Sequence, residues 1–305
     1  MGNQALSING FTNSGGTTNN HLTVEGSDWY WTVASVMGLA TLIFLGLSFT
    51  KPRPNRLFHY ITGSITLIAA IAYFTMASNL GWTPIHVEFT RSSHLVSGDY
   101  RQIFYVRYID WFITTPLILL DILLTAALPW STVLFVILMD WVMVICALIG
   151  ALVKSTYKWG YFTFACAAFF IVAWHVVWVG RNHAKYLGSD VHKAYVICGF
   201  WTIFLWFLYP ISWGVSEGGN VISSDGEAIF YGILDLLTKP VFGALLLWAH
   251  RGIDPARLGI HIRDYDEPIV RTAAATSEKH TNGAGLTNGQ GNEATTGAAT
   301  GSEAV

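Results

Sequence analysis

Residues 228–248 read AIFYGILDLLTKPVFGALLLW, an apolar run of bilayer-spanning length with an aspartate, Asp235, and a lysine, Lys239, near its middle. A lysine at that depth costs at least about 2.5–3.5 kcal/mol on insertion scales, so the default reading is functional. Four residues make one helical turn, and Asp235 and Lys239 therefore share a face. A buried lysine can give up its proton and attack a carbonyl carbon to form an imine. Once protonated, the imine is a fixed cation and needs an anion beside it. The pair points to a covalently held aldehyde whose charge is balanced by a carboxylate.

The rest of the chain agrees with a membrane setting. Of 305 residues, 52% are hydrophobic and 12% charged, against about 25% charged in a soluble domain. Six further apolar stretches reach spanning length, at about 29–49, 57–80, 103–124, 133–153, 161–179 and 194–215. The expected fold class is all-α: an integral membrane bundle of seven helices. Lys51-Pro52-Arg53-Pro54 and Leu128-Pro129-Trp130-Ser131 break the chain between spans. The longer loop at 81–100 alternates apolar and polar residues from Ile85 to Phe89 and predicts a small hairpin.

Basic residues set the expected orientation. Lys51, Arg53, Arg56, Arg181, Lys185, Lys193, Arg251, Arg257 and Arg263 lie on one side, and Arg91, Arg101, Lys154 and Lys158 on the other. The first side is then cytoplasmic and holds the C-terminus, with the N-terminus outside. Three parts are expected: a disordered outer tail (1–27), the helical domain (28–250) and a mostly disordered cytoplasmic tail (251–305). The polar first 27 residues lack the pattern of a cleavable signal peptide. A net charge of −2 gives no sign of nucleic-acid binding. Cys146, Cys166 and Cys198 all fall in apolar segments and read as packing residues rather than a disulfide framework. No set of side chains has metal-ligand spacing.

The third span carries Arg107, Asp110, Thr114 and Asp121. Asp110 and Asp121 are three turns apart with only about 20° of drift, so both lie on one stripe roughly 16 Å apart. Arg107 sits one turn before Asp110 and Thr114 one turn after it. A carboxylate beside a cation and another in a purely apolar stretch suit opposite roles in a directional proton relay. Asp140, without a charged neighbour within a turn, reads as an interhelical hydrogen-bonding group, and His175 as a packing or interfacial residue rather than a ligand. Trp206, Tyr209, Pro210 and Trp213 form a helical stripe. From spacing alone this is core packing; the sharper reading is an aromatic wall for a flat conjugated ligand, with Pro210 as a hinge. Glu217 and Glu227 fall near one mouth of the bundle, either solvated or sharing a proton.

Three stretches, RYIDWFITTPLILLD (107–121), WFLYPISW (206–213) and DLLTKP (235–240), together resemble the microbial rhodopsins, most closely the fungal proton-pumping branch related to bacteriorhodopsin. The resemblance covers about residues 28–250. It implies all-trans retinal joined to Lys239 as a Schiff base, in a protein of the plasma membrane that is not an enzyme. It implies Asp110 as counterion and proton acceptor, Asp235 as second counterion, Asp121 as cytoplasmic donor, and Arg107 as the link to a release group. Thr114 would hydrogen-bond the acceptor. Trp111, Trp206, Tyr209 and Trp213 would sandwich the polyene. Thr115, Pro116, Met143, Ala147, Tyr161, Phe162 and Pro210 fall at pocket positions. Glu217 and Glu227 match a proton-release pair, although Glu217 stands one residue closer to Trp213 than in the archaeal pattern.

The implied function is a light-driven outward proton pump, with lipid and protons as partners and room for a homo-oligomer. A slow-cycling photosensor is the alternative, and the acid at Asp121 favours the pump. A G-protein-coupled receptor ranks low, since the third span lacks Asp/Glu-Arg-Tyr and the seventh lacks Asn-Pro-x-x-Tyr. Lys239 argues against an opsin relative that binds no retinal. Asp110 argues against a chloride pump, and no side-chain amide nearby suggests a sodium pump.

Overall fold

The computed structural model describes residues 3–10, 12–13, 16–17 and 20–260. Arg263 and the sequence from 261 onward, most of the expected cytoplasmic tail, lie outside the described residues. Seven helices are long and apolar enough to cross a membrane: Val24–Ser48, Arg53–Ala77, Tyr105–Thr125, Trp130–Leu152, Lys158–Leu187, Ser189–Gly218 and Ser224–Ala249. They are called spans one to seven below. Each packs against its sequence neighbours, and the seventh closes the ring against the first and second. Large apolar side chains such as Leu42, Phe164 and Phe200 face outward, as a surface immersed in acyl chains requires.

The spans begin and end where local chemistry allows. Thr23 caps the first, its hydroxyl accepting the Glu25 N–H, and Ser223 caps the seventh through the Gly226 N–H. Gly243 lets the seventh helix close on the second: a Cβ there would stand 2.2 Å from Thr62 Cγ2. The expected hairpin forms, Thr83–His86 pairing antiparallel with Tyr100–Ile103. The end of the bundle bearing it is the hairpin end, and the opposite one the tail end. A short helix, Gln4–Ile8, lies at the hairpin end, where the Asn9 side chain donates to the Ser78 carbonyl (2.7 Å).

Three helices contain a wide π turn: His175–Gly180 in the fifth, Gly214–Gly218 in the sixth and Leu237–Val241 in the seventh. The last holds Lys239 and Pro240. Proline has no N–H to give the preceding turn, and a wider turn accommodates that loss. The Leu237 carbonyl in this turn accepts the Trp201 indole N–H at 2.9 Å.

Candidate functional site

Lys239 is buried at the middle of the bundle, and its ammonium donates to Asp110 Oδ2 and, at 3.2 Å, to Asp235 Oδ2. Two helices thus supply the anions, Asp235 from the lysine's own preceding turn and Asp110 from the third span. Asp235 is further held by two phenols, Tyr73 donating to Oδ2 (2.8 Å) and Tyr209 to Oδ1 (2.6 Å). Asp110 Oδ1 has no partner among the described residues. Asp235 is therefore pinned on both oxygens, whereas Asp110 keeps one available. A buried ion pair of this kind is weak evidence for stability, because desolvation offsets much of the attraction. Its retention fits a chemical role.

A largely apolar cavity opens beside Lys239, lined among others by Trp111, Thr115, Met143, Ala147, Phe162, Trp206, Tyr209, Pro210 and Trp213. Phe162 and Trp213 stack there with ring centres 5.0 Å apart. Ile118, Val144, Ala165, Cys166, Phe169 and Thr238 also line it; nothing in their spacing along one helix marks them for a cavity, and Cys166, expected as a packing residue, is part of its wall.

Pro116 and Tyr161, expected at the pocket, are not among its lining residues. Pro116 acts through the backbone. It removes the donor that would serve the Phe112 carbonyl, and that carbonyl instead accepts the Trp141 indole from the fourth span (3.1 Å). Thr114 also differs from expectation. Its hydroxyl donates to the Asp110 main-chain oxygen at 2.8 Å, the common back-bond of a helical threonine, rather than to the carboxylate. Asp140 makes the expected interhelical bond, accepting from Thr115 (2.7 Å).

Toward the hairpin end lies a buried charge network. Arg107 donates to Glu227 Oε1 and to Tyr30 (2.7 Å), and stacks over the Tyr231 ring at 4.3 Å. Arg101, from the hairpin, donates to Glu227 Oε2 at 2.7 Å and to Asn220 and the Ile222 carbonyl. Glu227 is thus clamped between two arginines. Glu217 is different. Its carboxylate accepts from Tyr108 (2.9 Å), Tyr231 (3.2 Å) and Ser216, with Arg107 at 3.5 Å. Both glutamates are buried; they converge at the mouth of the bundle through Arg107. Spacing along one helix could not reveal Tyr73, Arg101 or Tyr231. The available signal was polar phenols inside apolar runs, which need a partner when buried.

Toward the tail end Asp121 is buried among Ile118, Leu119, Ile122 and Leu123. Thr62 donates to its Oδ2 at 3.5 Å, and Oδ1 has no partner among the described residues.

Known proteins resemble the chain in sequence and in fold. The chain is 62% identical over 267 residues, 88% of its length and 87% of the relative's, to the opsin-like protein carO of Fusarium fujikuroi. Its fold matches the light-driven proton pump of Leptosphaeria maculans (TM-score 0.73, 38% identity, 78% of this chain and 99% of that one). It also matches the light-driven proton pump rhodopsin of Coccomyxa subellipsoidea (TM-score 0.72, 38% identity, 76% and 99%). The family model described as bacteriorhodopsin-like protein matches residues 26–253. Seven membrane helices around a buried lysine, together with these matches, place the chain in the bacteriorhodopsin-like family of microbial rhodopsins, whose members carry retinal on a lysine.

Proposed function

We propose that the protein is a light-driven outward proton pump of the plasma membrane, with the hairpin end extracellular. The observation that carries this reading is the bond from Lys239 Nζ to Asp110, with a second buried carboxyl, Asp121, three turns further along the same third helix. The cavity fits the expected prosthetic group: its wall is largely apolar and aromatic, it includes the primary amine of Lys239, and that amine is bonded to the carboxylates of Asp110 and Asp235. When joined to Lys239 as an imine, all-trans retinal supplies the light-driven isomerisation that alters proton affinity at Nζ.

The chain's own groups do the rest. Asp110, with one oxygen uncommitted, accepts the proton from Nζ. Asp235, held by Tyr73 and Tyr209, stays as a fixed anion and balances the site. Arg107 links the acceptor region to the outer carboxylates. Glu227 is compensated by two guanidinium groups, so Glu217, held mainly by hydroxyls, is the better place to store a proton for release. Asp121 returns a proton to Nζ from the tail end. Each charge moved against 100 mV requires about 2.3 kcal/mol.

Illumination of cells expressing the protein with retinal tests this. External acidification that a protonophore abolishes, and that is absent in colourless Lys239→Ala, is the expected result. A light-induced colour change without proton movement would favour the photosensor reading instead.

A further inference from the structure

At the tail end a second cavity lies between the second and seventh spans, lined among others by Lys51, Asn55, Phe58, His59, His250 and Arg251. His250 forms its inner wall and reaches into the bundle. Its Nε2 lies 2.9 Å from Thr125 Oγ1, and its Nδ1 lies 2.8 Å from the Leu246 carbonyl. Thr125 in turn bonds the main-chain oxygen of Asp121 at 2.7 Å and stands one turn beyond it on the same helix. Phe58 packs against the imidazole, with ring centres 4.6 Å apart.

We infer that His250, acting through Thr125, is the relay by which protons from the tail-end cavity reach Asp121. The inference rests on the proton-pump reading. Its basis is a hydrogen-bond arrangement that serves both charge states of the ring. In the neutral ring Nδ1–H donates to the Leu246 carbonyl, and Nε2 accepts the Thr125 hydroxyl. When a proton adds to Nε2, the ring donates at both nitrogens, and the Thr125 hydrogen turns to the Asp121 carbonyl. The ring keeps both of its hydrogen bonds in either state, while the single Thr125 hydrogen serves Nε2 in one and the Asp121 carbonyl in the other. Thr125 Oγ1 bonds the Asp121 main-chain oxygen and not its carboxylate, so the relay completes once the deprotonated Asp121 side chain turns toward Thr125: Oγ1 then takes the Nε2 proton and passes its own hydrogen to the carboxylate. His250 returns to neutral, and the net change is one proton from the cavity to Asp121.

The surroundings suit a relay rather than a store. Burial holds the His250 imidazole below its usual affinity for a proton. The charged and titratable groups sharing the cavity are Lys51, Arg251 and His59, with no carboxylate among its lining residues. They discourage a lasting positive charge on the ring. At neutral pH His250 is therefore uncharged and free to accept.

Flash-induced proton uptake, read by a pH indicator with the retinal-bound full-length protein in vesicles, tests the assignment. His250→Phe keeps a ring against Phe58 but has no nitrogen. Thr125→Val keeps the histidine but has no hydroxyl, and carries the test if the first variant fails to bind retinal. Both are expected to slow uptake at least about tenfold at pH 7, with the visible absorption maximum and outer-side release unchanged, while Thr125→Ser keeps the wild-type rate. Wild-type uptake in both His250→Phe and Thr125→Val, or in Thr125→Val alone where His250→Phe binds no retinal, would overturn the relay while leaving the pump reading intact. A wild-type protein that moves no protons in light would overturn both.

Discussion

The two halves of the bundle, on either side of Lys239, handle charge in opposite ways. On the hairpin side most buried charges meet an opposite one: Lys239 with Asp110 and Asp235, Arg107 and Arg101 with Glu227, while the Lys158 ammonium donates to the Glu217 main-chain oxygen. Phenols from Tyr30, Tyr73, Tyr108, Tyr209 and Tyr231 fill the remaining positions. On the tail side Asp121 sits among aliphatic side chains with one distant hydroxyl. A dense network can hold and hand over charge at little cost, because each state finds partners. A lone acid in an apolar layer keeps the path closed until it is needed. On the proposed pump reading, the contrast sets a direction, with an exit lined by acceptors and an entry guarded by a single donor.

Replacing the group at the boundary should have the largest effect. Asp110→Asn removes the acceptor, so light-driven acidification is expected to vanish. The pigment should shift to the red, because the anion that stabilises the ground-state charge is gone. Wild-type colour and transport in that variant would transfer the acceptor role to Asp235. Next comes the lone donor. Asp121→Asn leaves reprotonation to the bulk, and flash photolysis is expected to show it slowed on the order of 10²-fold at neutral pH. The sign of its pH dependence is set by proton supply: the step slows further as pH rises and recovers as pH falls, or when azide is added. Matching rates from pH 5 to 8 would remove Asp121 from the donor role.

The third test compares the two glutamates of the hairpin end. Glu227→Gln leaves Arg101 and Arg107 without their shared anion, and breaking a buried pair costs about 3–5 kcal/mol. Thermal bleaching is expected at a clearly lower temperature. Glu217→Gln retains acceptor capacity for its phenols and costs about 1 kcal/mol. It is expected to leave thermal stability near wild type and to delay proton release, measured with a pH indicator on the outer side. Equal destabilisation by the two changes would erase the distinction between clamp and store.

Some of this was legible in the sequence for a physical reason. Bilayer thickness imposes a run length, and the helical period fixes which residues share a face within one span. Seven spans, the Asp235–Lys239 pair one turn apart, and the stripe of Arg107, Asp110 and Asp121 all follow from those rules and reappear in the structure. Helix ends shifted by several residues, as in the fifth span, which runs to Leu187 rather than to about 179. Its π turn and polar end continue the helix past the apolar run.

What depends on how helices meet belonged to the tertiary structure alone. Only packing brings Asp110 to Lys239 from another helix, sets Tyr73 and Tyr209 on Asp235, and carries Arg101 from the hairpin to Glu227. Only packing sends the Thr114 hydroxyl to a backbone oxygen, keeps Pro116 and Tyr161 out of the cavity lining and puts Cys166 into it. The reason is the range of the information. A periodic pattern specifies a face on one helix, but the partner across the gap depends on rotation and wide turns that spacing along a single chain does not encode.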